Sequence, residues 1–468
     1  MLRFGGIINI EKDLYEMMEN STVILQWSLI ISTSLLFLWL SPLAKTNNQF
    51  FKASANKQKT NVLMLTGSLV ISWIFAKSIT NAANLGAAFG IVGGVAYAAY
   101  YLSFLVAGFV VYKLRTVGGY QSIHHFLKTR FGKGAIILFS ILIGFRLFNE
   151  VWSNTMVIGS YFGDSGSASY YSAIVLFTLL TLLYTIKGGL SSSIFTDGIQ
   201  MLLFSILLFV ILWQLFSTNQ FDVKNVVQSG DWTMELGGNL IFAAILQSLS
   251  YPFHDPVLTD RGFIITPKET LKSFLWATLI GFLCIVLFSF IGIYAKQNNL
   301  NGQAAVAVSK SFGILILLVV NFIMITSAAS TLDSTFSSSA KLIAIDLGLG
   351  KSVSFGRVVM VLVAIVGTVP IFFNAEILSA TTISGTMVIG LTPIFLCWKL
   401  KPPKISFYLS ITCGLIFGIL LLWNSFPDHF IFTKGKYADL LWVNFWGIIC
   451  CFIVYFAPVW IKKLLKKE

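Results

Sequence analysis

The sequence predicts an all-α polytopic membrane protein with about 13 transmembrane helices. Of its 468 residues, 56% are hydrophobic and only 11% are charged, whereas soluble domains carry about 25% charged residues. The mean hydropathy is +0.82, and apolar runs near the ~20-residue length that crosses a bilayer recur along the chain. These observations exclude a soluble enzyme, and the absence of a nucleotide-binding loop or a nucleophile motif in the sequence also argues against an enzyme.

Thirteen candidate spans follow from the hydropathy pattern. They lie near residues 22–42, 61–85, 86–112, 134–163, 170–186, 192–217, 238–253, 271–295, 312–345, 355–373, 376–397, 405–424 and 440–461. No long polar linker or low-complexity segment divides them. We therefore expect residues 1–468 to form one transmembrane domain.

The basic residues indicate how the chain crosses the membrane. The formal net charge is +13, which in a soluble protein would suggest a nucleic-acid partner. With the N-terminus outside, 23 basic residues fall in inside segments and seven in outside segments, as the positive-inside rule requires. We expect a multi-pass protein of the cell membrane with a cytoplasmic C-terminus. The bilayer is its predicted partner, without nucleic acid or an obligatory protein partner.

Two groups of five spans, residues 61–217 and 238–397, are nearly equal in length. Each begins with a span that polar or helix-breaking residues interrupt. These are Lys77, Ser78, Thr80, Asn81 and Asn84 in the first group, and Gln247, Ser248, Ser250, Tyr251 and Pro252 in the second. Such pairs are typical of inverted repeats around a site at the membrane midplane, although two unrelated irregularities would look the same. Residues 1–60 then add an N-terminal helix, and residues 405–461 add two C-terminal helices.

Five ionisable residues lie within predicted spans: Lys77, Arg146, Glu150, Asp197 and Asp333. An ionisable group near the bilayer centre costs at least ~2.5 kcal/mol, so each is a candidate for function. Arg146 and Glu150 are four residues apart and could neutralise each other on one helix. Alternatively, Arg146 binds a carboxylate of a solute. Asp197 lies near a helix start, where a favourable dipole interaction is the simpler interpretation.

The segment 326–339 is rich in hydroxyl groups. Ser327, Ser330, Thr331 and Ser334 follow the i, i+3, i+4, i+7 spacing and therefore share one helix face. Clustered hard oxygens suit an alkali cation, although small residues also allow close helix packing.

Free backbone carbonyl groups in an unwound segment 76–81 could complete an ion shell. Those of Ala76 and Ile79 would face the hydroxyl groups of residues 330 and 331. Lys77 would then either point away from the ion or replace it.

Three motifs resemble the sodium/solute symporter family, which includes sodium-coupled carriers of proline, glucose or galactose, pantothenate and sialic acid. Residues 188–200 read Gly-Gly-Leu-Ser-Ser-Ser-Ile-Phe-Thr-Asp-Gly-Ile-Gln, with Phe195 in place of the family's usual Trp. Residues 327–331 are similar to the family's sodium-site segment, and residues 251–261 to its gating-helix segment. The resemblance covers roughly residues 50–400.

The resemblance implies two inverted five-helix repeats, alternating access, and a sodium site. That site would consist of Ala76, Ile79, Ser327, Ser330 and Thr331. A second cation site of some relatives would consist here of Asp197, Ser330, Asp333 and Ser334, where Asp333 replaces a hydroxyl group and could instead carry a proton. Tyr251 would be an inner gate. Na+ is the implied coupling ion, and no organic cofactor is expected.

These observations together predict a sodium-coupled secondary symporter that imports a small polar organic solute by alternating access. Solute contacts are expected from Ser78, Thr80, Asn81, Arg146 and Tyr251. Arg146 favours a solute that carries a carboxylate. The alternatives are a proton-coupled or sodium-independent carrier of the same fold, and a non-transporting membrane sensor.

Overall fold

The computed structural model describes residues 4–52, 61–218, 221–373 and 377–464, and these are helical almost throughout. Some residues of the predicted elements lie outside the described residues. These are residues 1–3 and 53–60 of the predicted N-terminal unit, and residue 376 of the predicted span 376–397. Helices α1 to α11 comprise Phe4–Leu40, Asn47–Lys52, Val62–Trp73, Ala76–Phe89, Ile91–Ala98, Leu102–Thr116, Ile123–Phe131, Lys133–Gly159, Ala168–Gly188, Leu190–Phe216 and Val223–Val227. Helices α12 to α21 comprise Asn239–Ser248, Pro256–Arg261, Pro267–Gln297, Ala304–Ser311, Ile314–Lys341, Val353–Thr368, Ser379–Met387, Leu391–Leu396, Ile405–Leu422 and Ala438–Leu464.

The predicted all-α polytopic fold is confirmed. In the described part of the chain, ten helices are long and apolar enough to cross a membrane, and α3 with α4 forms a further candidate span. The two other predicted spans consist of short elements: α12 with a 3₁₀ turn at Tyr251–His254, and α18 with α19. The count therefore reaches thirteen when each interrupted segment is taken as one span. The division into inverted repeats stays a prediction.

The first interrupted span bends by 63° between α3 and α4. Ile74 and Phe75 have non-helical backbone angles, with ψ of 70° and 150°. The sequence prediction of an unwound segment at residues 76–81 is wrong, because α4 already begins at Ala76. At the earlier bend, the carbonyl oxygen of Trp73 accepts a hydrogen bond from the Tyr101 hydroxyl (2.6 Å), which replaces the helical bond that this carbonyl would otherwise need.

The second interrupted span contains two prolines. Helix α12 ends at Ser248, a short 3₁₀ turn covers Tyr251–His254, and α13 begins at Pro256. Pro252 and Pro256 lack backbone N–H groups and cannot continue a regular helix. The Asp255 carboxylate accepts from the backbone N–H groups of Val257 (3.0 Å) and Leu258 (3.4 Å), and so caps α13.

Close helix packing brings α14 against the first interrupted span. A methyl group at Gly292 would lie 1.7 Å from the Ala83 carbonyl oxygen, and one at Gly86 would lie 2.2 Å from that of Ser289. Glycine at these positions lets the backbones of α4 and α14 meet directly, as membrane helices commonly do. Helix α16 packs against α3, α4, α8 and α10, and this position brings the hydroxyl-rich segment to the bend.

Candidate ion and solute site

The bend between α3 and α4 faces the hydroxyl groups of α16. The Ser327 side chain donates a hydrogen bond to the carbonyl oxygen of Ile74. Ile74 lies between α3 and α4 and has a non-helical backbone. Both residues are fully buried. A carbonyl group that has left the helical ladder and a serine hydroxyl group therefore meet in the interior, where each would be costly without a polar partner.

The other residues of the predicted sodium site lie on the same two helices. The Thr331 hydroxyl donates to the Ser327 carbonyl oxygen (3.0 Å), whereas the Ser330 hydroxyl donates to Asp197 Oδ1 (2.6 Å). Ala76 and Ile79 lie in α4, and the Ala76 carbonyl oxygen accepts from the Thr80 hydroxyl (3.2 Å). All of these are uncharged oxygen donors, which fit an alkali cation.

Asp197 is the centre of a second buried group on α10. Its Oδ2 accepts from the guanidinium group of Arg261 (2.8 Å) and from the Ser68 hydroxyl (2.6 Å). Arg261 also donates to the Ser68 hydroxyl (2.7 Å) and to the Ser334 hydroxyl (3.1 Å). A guanidinium group thus contacts two of the four residues predicted to hold a second cation.

Asp333 lies beside this pair but is held by hydroxyl groups. Its carboxylate accepts from Ser193 (2.7 Å), Thr196 (3.0 Å) and Tyr184 (3.0 Å). Among the residues that the structure describes, no basic nitrogen lies within 4 Å of it. We call Asp197, Arg261 and Asp333 the Asp197 cluster. It contains two carboxylates and one cation.

Four further charged side chains form what we call the central quartet: Lys77, Glu150, Arg146 and Asp255. The Lys77 ammonium group donates to Glu150 Oε1 (2.6 Å). Arg146 forms ion pairs with Glu150 and with Asp255 Oδ2 (3.1 Å for the latter). All four are at most 3% exposed. Lys77 therefore points to α8 rather than into the predicted ion site, and Arg146 already has two carboxylate partners.

An aromatic cavity lies next to the quartet. Its walls are the rings of Trp73, Phe75, Tyr97, Tyr100, Tyr101 and Tyr251, with hydroxyl groups from Ser78 and Thr381. Its volume is about 10 Å³, room for about one water molecule. The rings therefore close the cavity in this conformation.

The predicted solute contacts fall into three groups. Ser78 and Tyr251 line the cavity, and Asn81 reaches it by donating to the Tyr97 hydroxyl (3.2 Å). The Thr80 hydroxyl bonds to its own helix. The Arg146 guanidinium lies behind the cavity wall, 5.0 Å from the centre of the Tyr251 ring.

Sequence reasoning missed several residues of these sites. Tyr97, Tyr100 and Tyr101 are spaced i, i+3, i+4, which puts them on one helix face, and this spacing was the available signal. No spacing pattern in the sequence indicated that Trp73 lines the cavity, or that Asp255 pairs with Arg146. Both depend on contacts between segments that are distant along the chain.

The sequence is similar to a known protein family and to a curated transporter. Residues 55–229 match the family model described as Sodium:solute symporter family. A urea active transporter of Saccharomyces cerevisiae is 20% identical over 328 residues, which cover 60% of this chain and 44% of that protein. The chain thus spans less than half the length of this curated relative.

Two solved structures share the fold. A Na+-coupled sialic acid symporter in a substrate-bound outward-open state has a TM-score of 0.69 at 16% identity, covering 93% of this chain and 98% of that chain. A nucleobase-cation-symport-1 family transporter in a closed conformation has a TM-score of 0.58 at 13% identity, covering 91% and 96%. The chain is therefore a multi-pass membrane protein that shares its fold with these two transporters, and its predicted resemblance to the sodium/solute symporter family is confirmed.

Proposed function

We propose that the protein is a sodium-coupled symporter that imports a small polar organic solute by alternating access. The observation that carries this proposal is the contact between Ser327 on α16 and the Ile74 carbonyl at the helix bend. This contact joins a hydroxyl-rich helix to a broken helix, directly beside a closed aromatic cavity. Broken helices of transporters typically hold the coupling ion in this way.

Sodium would bind where the bend meets α16, with Ser327, Ser330 and Thr331 and the backbone carbonyls of Ala76 and Ile79 as proposed ligands. The hydroxyl groups and the non-helical Ile74 carbonyl at the bend fit such an ion because they are uncharged oxygens. The carbonyls of Ala76 and Ile79 lie in the first turn of α4 and would have to turn out of the helix to bind it. Ion binding would hold α16 against α3 and α4 at the bend, next to the aromatic cavity, which must widen from its closed volume to admit a solute. By linkage, the solute would raise the affinity for sodium by the same factor as sodium raises that for the solute.

The charges around the cavity favour an uncharged solute. Arg146 is paired with Glu150 and Asp255, and Phe75 and Tyr251 stand between it and the cavity. The quartet has no net charge, so a solute carboxylate would find no free cation there. The phenol and hydroxyl groups of Tyr97 and Ser78 offer hydrogen bonds to hydroxyl or amide groups instead.

Further parts of the proposal rest on the sequence. The basic-residue distribution supports a cell-membrane protein with an outside N-terminus and a cytoplasmic C-terminus. The two five-span groups, residues 61–217 and 238–397, would rock against each other. Asp197, Asp333 and Ser334 would form a second cation site. We expect no organic cofactor and no obligatory protein partner.

Uptake into proteoliposomes tests the proposal. Labelled urea, galactose, myo-inositol, proline and sialic acid would be supplied with a gradient of NaCl or of choline chloride. We expect uptake of an uncharged solute only with NaCl. Equal uptake in both salts would support the proton-coupled or sodium-independent alternative. Stabilisation by sodium and a solute without any uptake would support a sensor.

Two serines of α16 provide matched variants. Ser327→Ala removes the hydroxyl at the bend, whereas Ser337→Ala removes one that donates to the carbonyl of Ser334 in its own helix (3.1 Å). We expect Ser327→Ala to raise the sodium concentration for half-maximal uptake about tenfold, which corresponds to about 1.4 kcal/mol. Ser337→Ala should leave it unchanged. Equal effects of the two variants would contradict the proposed ion position.

A further inference from the structure

A separate cavity of about 500 Å³ lies among the ends of several helices. It is bordered by the segment after α6, by α7, and by the loop that joins α19 to α20. Arg130, Lys399 and Lys401 contribute to its lining. Its volume is within the ~300–1,000 Å³ range of ligand pockets, and it is far larger than the closed aromatic cavity.

The charge of this cavity is uncompensated. Its lining contains three basic side chains and no carboxylate. Within the described parts of the chain, no carboxylate oxygen lies within 4 Å of Arg130, Lys399 or Lys401. In contrast, Lys341 forms an ion pair with Asp260. Basic groups that share a cavity repel each other, so an anion would be bound favourably there.

Arg130 is held in place by the walls of the cavity. Its Nε donates to the Tyr120 hydroxyl (2.9 Å), and its NH2 group donates to the Trp398 carbonyl oxygen (3.1 Å). These two bonds fix the plane of the guanidinium group and leave its NH1 group for another acceptor. A fixed planar guanidinium group is well suited to a phosphate.

Three candidate spans have an end beside the cavity, so we expect it to lie near the headgroups of a bilayer. The candidate span Ile91–Thr116 ends beside it, and the spans Lys133–Gly159 and Ile405–Leu422 begin beside it. Tyr120 and Trp398 in its lining are residue types enriched at the membrane surface. The positive-inside rule explains why lysines occur here, but it requires neither a cavity nor a fixed arginine.

We propose that this cavity binds the phosphate group of an anionic phospholipid. Arg130 provides oriented donors, and the exposed Lys399 and Lys401 add positive charge. Basic pockets between membrane helices bind such headgroups. The lipid would bridge the α7 region and the α19–α20 loop, which are far apart along the chain.

The experiment compares the full-length protein in nanodiscs of phosphatidylcholine alone and of phosphatidylcholine with phosphatidylglycerol. We expect phosphatidylglycerol to raise the thermal unfolding midpoint by several degrees. Native mass spectrometry should show that the wild-type protein retains one more anionic lipid than the Lys399→Gln/Lys401→Gln variant does. The exposed double variant Lys399→Gln/Lys401→Gln should lose most of both effects, and it should unfold cooperatively because neither lysine makes an ion pair in the described structure.

Lys462→Gln/Lys463→Gln is the matched control, because these exposed lysines lie in the last turn of α21 and outside the cavity. It should respond to phosphatidylglycerol as the wild type does. Equal loss in both double variants would overturn the proposal in favour of general surface attraction. The proposal would also fail if phosphatidylglycerol had no effect, or if inorganic phosphate in phosphatidylcholine nanodiscs gave the same stabilisation.

Discussion

The central quartet and the Asp197 cluster are both buried in the membrane domain, but they differ in charge balance. The quartet has two cations and two carboxylates, and each member has an ion-pair partner. The Asp197 cluster has one cation, Arg261, for two carboxylates. A balanced group needs no added ion, whereas a surplus carboxylate in a low-dielectric interior favours a bound cation or proton. The difference therefore separates a structural network from a candidate ion site.

Glu150→Gln should have the largest effect, because it breaks the balance of the quartet. Lys77 and Arg146 would remain buried with Asp255 as the only carboxylate. Breaking a buried pair in this way costs about 3–5 kcal/mol. We expect a large decrease in the thermal unfolding midpoint in detergent, measured by intrinsic fluorescence.

A double variant provides the control for this change. Lys77→Met with Glu150→Gln removes one cation and one carboxylate and leaves the pair of Arg146 and Asp255 (3.1 Å). It should recover a substantial part of the lost stability. If the double variant is less stable than Glu150→Gln alone, charge balance does not explain the quartet.

Arg261→Gln should have the next largest effect and should depend on sodium. It leaves Asp197 without its paired cation, but an ion from solution could replace the guanidinium group. We expect a loss of about 1–3 kcal/mol in NaCl and a larger loss in choline chloride, measured by thermal unfolding in each salt.

Arg357→Gln is the comparison for this variant, because Arg357 donates to the carbonyl oxygen of Ile186 and not to a carboxylate. Its stability should not depend on which of the two salts is present. An equal dependence in both variants would show that the salt acts elsewhere on the protein.

Asp333→Asn should change stability by less than about 1 kcal/mol. The amide can still bond to the hydroxyl groups of Ser193, Thr196 and Tyr184, which rotate to donate or accept. The variant removes the surplus charge, so we expect the sodium dependence or the pH dependence of uptake to change. An effect on sodium would indicate a second cation, and one on pH a carried proton. Unchanged dependence on both would contradict an ionic role.

Substitution of His124 on α7 should have the smallest effect on stability. Burial lowers the pKa of its imidazole below the usual 6.5, and the nearby charge of Lys341 lowers it further. The carboxylates of Asp346 (3.9 Å) and Asp260 oppose this shift. The folded protein then binds fewer protons than the unfolded chain, so stability should decrease as the pH falls below about 6.5. His124→Gln should remove part of this decrease in pH-dependent thermal unfolding, and the exposed His429→Gln should not.

The sequence predicted which helix face the proposed ion-site residues share, but not which groups they contact. The spacing of Ser327, Ser330 and Thr331 placed their Cα atoms on one face of a helix, because helical periodicity is a local property. Only the structure showed that Ser327 reaches the Ile74 carbonyl while Ser330 turns to Asp197. The bend itself was predicted two residues too late, and the hydroxyl groups that bond the freed carbonyls there, those of Tyr101 and Ser327, are distant along the chain.

The sequence by itself determined that this chain crosses a membrane many times and where most of its spans lie, because span length and hydropathy are set within each segment. The i, i+4 spacing also predicted the pair of Arg146 with Glu150, but the tertiary structure decided the ion pairs between helices. Lys77 meets Glu150 across 73 positions of the chain, and Arg261 meets Asp197 across 64. Such pairs depend on which helices pack together and in what rotation, and no local pattern in the sequence contains that information.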